Sequence, residues 1–188
     1  MRATFFSEKT SSRRQLMKKT VKLGLALAAG TNPVVAGAKR LEKKTLSFYH
    51  THTRQSLGVT YFHHGMYDPV ALGQINHYLR DFRTGEVHTI DRRLLDVLWD
   101  IQQDMGYKGT FEVISGFRSP VTNKKLRQNS SGVAKRSLHM EGRAIDIRFS
   151  EAPTRYVQQC AIAMQCGGVG YYPKSDFVHI DTGRFRTW

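Results

Sequence analysis

Apolar positions along the chain switch between two periods, and each switch marks an element. Leu46-Ser47-Phe48-Tyr49-His50 alternates with period two, Gln55-Ser56-Leu57-Gly58 interrupts it, and Val59-Thr60-Tyr61-Phe62 resumes it, which predicts a β-hairpin. Asp68-Pro69 then supplies an N-cap and a proline for the first helical position, ahead of Ile75, Tyr78, Leu79 and Phe82 at helical spacing. A second helix is predicted from Asp91, with Leu94, Leu98, Ile101 and Met105 as its buried stripe and Gly106 as its stop. Phe111-Glu112-Val113-Ile114 reads as a central strand, residues 122–136 as a short helix and a loop, and 153–166 as a helix closed by Gly167-Gly168. Val169-Gly170-Tyr171-Tyr172 is the strand that leads to the last one.

Polar residues inside two of these strands change the picture. In Ala144-Ile145-Asp146-Ile147-Arg148-Phe149 the alternation puts Asp146 on one face and Ile145, Ile147 and Phe149 on the other. A carboxylate in mid-strand is costly without a compensating charge, and a metal ion is one such charge. His139, seven residues earlier, is separated from it by Gly142 and is placed on a loop. Near the C-terminus, Phe177-Val178-His179-Ile180-Asp181 fixes His179 and Asp181 on one face, with Val178 and Ile180 on the other. Two imidazoles and one carboxylate form a three-ligand set with one coordination position open, the catalytic rather than the structural form of a zinc site. His139, Asp146 and His179 are therefore the expected Zn2+ ligands. Arg118, in the sharp turn Ser115-Gly116-Phe117-Arg118-Ser119-Pro120, is expected at the edge of a cleft, where a guanidinium can face a developing oxyanion.

Three separated motifs, in order, carry a resemblance: Ser115-Gly116-Phe117-Arg118-Ser119, the SxHxxGxAxD pattern over residues 137–146, and Phe177-Val178-His179-Ile180-Asp181-Thr182-Gly183. Together they resemble the M15-type zinc peptidases that act on peptidoglycan, and within them the murein endopeptidase K group, once a domain of unknown function. The resemblance implies a Hedgehog/D-Ala-D-Ala-peptidase-like α+β fold, with a mainly antiparallel central sheet and helices packed on it. It implies hydrolysis of peptide cross-links in the cell wall, with the arginine of the first motif, Arg118, binding the substrate or its carbonyl charge. Related peptidases often carry an acid three residues before the last histidine, which makes Asp176 the expected general base. Asp181, sharing a face with His179, competes for that role or orients the imidazole. A carboxypeptidase on wall peptides and a non-catalytic, zinc-containing wall-binding module are the alternatives.

The N-terminus bears on location. Ser12-Arg13-Arg14-Gln15-Leu16-Met17-Lys18 has a twin-arginine pattern, a short apolar run follows over residues 23–29, and Ala36-Gly37-Ala38 offers small residues for cleavage. Residues 1–38 are read as a removed twin-arginine signal peptide, and 39–188 as a single zinc peptidase domain exported to the periplasm. The apolar run is too short for a transmembrane helix, which needs roughly 20 residues. The whole chain carries a net charge of +14; seven of its 29 basic and one of its 15 acidic residues lie in the leader, leaving +8. That balance suits an anionic partner, and without a nucleic-acid-binding motif the expected partner is peptidoglycan, met by a monomer. Cys160 and Cys166 are read as small buried residues, although export would permit a bridge. His50, His52, His63 and His64 are expected at the surface, with His50 and His52 on the polar face of an edge strand.

Overall fold

The alternating segments assemble into one sheet, in a computed structural model that describes residues 43–188 apart from Tyr107 and Ser131. Its strands are β1 (Lys44–His50), β2 (Ser56–His63), β3 (Met66–Tyr67), β4 (Phe111–Ser115), β5 (Ala144–Phe149), β6 (Gly168–Tyr172), β7 (Phe177–Asp181) and β8 (Arg186–Thr187). They lie in the order β3-β2-β1-β4-β5-β7-β6-β8. Pairing is antiparallel except for β1 with β4 and β6 with β8. A parallel neighbour requires a long crossover, and the chain between β1 and β4 carries two helices. The architecture is α+β, as expected.

The helices begin where capping chemistry allows. Asp68 accepts from the amides of Val70 and Ala71 at the start of α1 (Pro69–Tyr78), and Asp91 accepts from that of Arg93 at the start of α2 (Arg92–Met105). Gly106, at φ 68°, closes α2 in the left-handed region. Ser119 caps α3 (Pro120–Asn129). The fourth helix, α4 (Thr154–Met164), is shorter than the sequence suggests, because Gln165 turns left-handed at φ 52° before the glycines are reached. On one side of the sheet α2 packs against α4 and β1, and α4 against β5, β6 and β7. Leu94, Leu98, Ile101, Ile145, Ile147 and Val178 are wholly buried in that core.

His50 corrects the sequence reading. Its strand is no edge, since β1 lies between β2 and β4, and the alternation that buries Leu46 and Phe48 buries His50 as well. Its Nδ1 accepts from the His52 amide at 3.3 Å, its Nε2 has no hydrogen-bond partner, and burial pushes its pKa down to about 4. His52 is exposed and stacks on Phe82, with ring centroids 4.3 Å apart. Both cysteines are free thiols, Cys160 buried and Cys166 half-buried.

Candidate metal centre

Each of the three expected ligands reaches the centre by a different local device. His139 sits in a 3-10 turn, Leu138–Glu141, rather than an irregular loop, and Gly142 closes that turn at φ 65°. Only glycine fits there: a Cβ on residue 142 would stand 2.1 Å from the carbonyl oxygen of Thr89. The Gly142 carbonyl in turn accepts from the Asp91 amide at 2.9 Å, which fastens the turn to the start of α2. Asp146 and His179 are paired residues on β5 and β7, directly opposite across an antiparallel ladder. Burial of Ile145, Ile147, Val178 and Ile180 on the helix side leaves both side chains on the other face.

The donor atoms converge. His139 Nε2 lies 3.2 Å from Asp146 Oδ1 and 3.2 Å from His179 Nδ1, and Asp146 Oδ1 lies 2.9 Å from His179 Nδ1. Four ligands at about 2.0–2.1 Å in a tetrahedron stand about 3.3 Å apart, so this triangle needs little adjustment to hold an ion. The opposite ring nitrogens are already engaged: His139 Nδ1–H donates to the Gly116 carbonyl at 2.7 Å, and His179 Nε2–H to Asp181 Oδ2 at 3.0 Å. Both imidazoles therefore turn a lone pair toward one point. The residues fit a divalent ion, with one side of the triangle open to a cavity of about 560 Å³.

Asp181 stands one layer behind the three expected ligands. It is fully buried and also accepts from the amides of Gly168 and Gly183 and from both terminal nitrogens of Arg186. Against burial, which favours the acid, the bonds from His179 and Arg186 hold its carboxyl well below the usual carboxylate range. Asp146 is held low in the same way, by the two histidines. Burial lowers the pKa of His139; His179, although buried too, is raised to about 9 by Asp146 and Asp181.

Arg118 lines the cavity. The turn that carries it approaches α1 so closely that a Cβ on Gly116 would meet the Leu79 carbonyl at 2.7 Å. Its Nη2 lies 3.4 Å from both Asp146 Oδ2 and Ser115 Oγ, and its Nε is buried with no partner. The structure does not bring Asp176 to the centre. That residue occupies the β6–β7 turn at φ 49°, accepts from Thr154 Oγ1 at 2.6 Å, lies 3.7 Å from Arg148, and lines a separate depression. The sequence reading missed Arg186 and the aromatic wall of Tyr172, Phe177 and Trp188. Arg186 reaches Asp181 because β8 pairs in parallel with β6, a contact that no local pattern announces.

A pair of histidines and an aspartate at the rim of a cleft, with a guanidinium beside them, is the donor arrangement of a metallopeptidase. Sequence comparison agrees. The profile of the family described as peptidoglycan L,D-endopeptidase MepK matches residues 38–188. The peptidoglycan L,D-endopeptidase MepK of Escherichia coli K12 is 38% identical over 167 residues, spanning 88% of this chain and 92% of its own. The probable peptidoglycan L,D-endopeptidase MepK of Haemophilus influenzae Rd is 36% identical over the same length, 88% of this chain and 90% of its own. The chain belongs to the MepK family of M15 peptidases.

Proposed function

We propose that the protein is a zinc-dependent endopeptidase that hydrolyses peptide cross-links in peptidoglycan, on a Hedgehog/D-Ala-D-Ala-peptidase-like α+β fold. The observation that carries the reading is the convergence of three donor atoms within 3.2 Å of one another, with both imidazole tautomers fixed from behind. His139, Asp146 and His179 would hold the ion, which supplies Lewis-acid activation of a water and of the scissile carbonyl.

The remaining steps belong to the chain's own side chains. Arg118 presents its terminal nitrogens at the cavity beside Asp146, where they meet the oxygen on which charge develops. Asp181 acts through His179, holding the imidazole in one tautomer and orientation. The aromatic wall excludes water along one side of the cleft. Asp176 lies outside this cavity and takes no part in the proton transfer.

Residues 1–38 carry the twin-arginine leader and 39–188 the exported domain, which places the activity in the periplasm. The leader lies outside the described residues; among those described, no helix is long and apolar enough to cross a membrane. The family match over residues 38–188 supports the division. The test is digestion of purified cross-linked peptidoglycan by the exported domain, with and without a chelator, the products read by mass. Conversion of cross-linked dimers to monomers, abolished by chelation and restored by zinc, is the expected result. Intact dimers from a folded, zinc-loaded protein overturn the reading.

A further inference from the structure

Among the described residues three arginines line the cavity, and they differ in what they already hold. Arg118 is directed to Asp146 and Ser115, and Arg186 is bound to Asp181. Arg136 is exposed on the cavity wall and has neither a carboxylate nor a hydrogen-bond partner among the described residues. It precedes Ser137, the N-cap position of the 3-10 turn that carries His139, so its backbone is anchored next to the ligand set. Tyr172, Phe177 and Trp188 line the same cavity. The cavity's two carboxylates, Asp146 and Asp181, are saturated by the ligands and arginines around them.

An unpaired planar cation and an aromatic wall in one cavity fit a particular feature of the substrate class. The inference rests on the proposed endopeptidase reading. Where a wall cross-link is an amide on a side-chain amino group of a diamino diacid, the carbon bearing that nitrogen also carries a free carboxylate. An internal main-chain peptide bond has no such group. A guanidinium fork matches a carboxylate with two parallel hydrogen bonds, and the diamino acid's methylene chain is compatible with an aromatic surface. We propose that Arg136 binds the free carboxylate beside the scissile amide nitrogen, and that this contact makes the enzyme select cross-links over main-chain peptide bonds.

The test compares two synthetic cross-linked dimers that differ only in that group, one with the carboxylate and one with the carboxamide. The zinc-loaded wild type is expected to show about tenfold lower KM for the carboxylate dimer, with kcat values within about twofold. Arg136→Gln should raise KM for the carboxylate dimer about tenfold and abolish the preference, and Arg136→Lys should retain part of it. A merely structural role for Arg136 would move both dimers together. Equal KM for the two dimers in the wild type, or a preserved preference in Arg136→Gln, overturns the assignment of Arg136 alone. Cleavage of neither dimer by folded, zinc-loaded wild type overturns the proposed function and this assignment with it.

Discussion

Asp181 accepts the Nε2–H of His179 at 3.0 Å while Arg186 grips the same carboxylate from the other side at 2.6 Å. The carboxylate touches no ligand position, so its influence on the metal passes through one imidazole. Asp181→Asn should therefore weaken zinc binding by about 10- to 100-fold without removing the site, as measured by competition against a chelator of known affinity. Unchanged zinc affinity would show that the imidazole is oriented by packing alone.

The expected ligands themselves should behave differently. His139→Ala and His179→Ala are each expected to lose stoichiometric zinc, read by elemental analysis of the purified variants. Zinc retained at one equivalent by both would remove them from the ligand set.

Asp176→Ala is expected to keep both metal and turnover, with kcat within about threefold of wild type. Its side chain is committed to Thr154 and Arg148 in a separate depression. A loss of turnover with zinc retained would return the residue to the role that the family pattern assigns it.

For Arg118 the expectation runs the other way. Arg118→Lys keeps a charge but forfeits the planar fork, and should lower kcat on cross-linked dimers by about 100-fold while zinc stays bound. Steady-state kinetics on zinc-loaded protein reads this, and an unchanged kcat would exclude Arg118 from carbonyl binding.

His50, which does not line the cavity, supplies a pH dependence of its own. Burial first, then the neighbouring His52, Arg80 and Arg83, depress its pKa from 6.5 to about 4. The unfolded chain therefore binds the proton more readily than the folded one, so stability falls as pH drops from about 6.5 toward 4 and levels off below that. The difference amounts to up to about 3 kcal/mol. His50→Phe, which removes the titrating group and its unpartnered nitrogen, should flatten the chemical-denaturation profile between those pH values; an unaltered slope would locate the acid sensitivity elsewhere.

What the sequence made legible follows from how locally each feature is encoded. Alternation in Ala144–Phe149 and Phe177–Asp181 determined which side chains faced away from the helices, and with that the positions of Asp146 and His179. The caps Asp68 and Asp91 marked two helix starts in the same local way. The residues whose surroundings the sequence did not reveal depend on distant partners. His50 follows the period of Leu46 and Phe48, but its polarity suggested solvent, and only the pairing of β1 with β4 encloses the strand. Asp176 stands at the right separation from His179 along the chain, yet a left-handed backbone in the β6–β7 turn directs it toward Thr154. Arg186 reaches Asp181 through a parallel strand pair, which leaves no sequence period to read.

The pairing of Asp146 with His179 across β5 and β7 has one further consequence. A slip of one residue between these strands would carry an isoleucine or a valine to the ligand position and drive a charged group into the apolar layer. A chain so misaligned could neither pack nor hold an ion. A metal bound by this pair would thus act as proofreading of the fold: a molecule that carried it would have passed a test of strand register, and the metal content of a preparation would count the correctly assembled fraction.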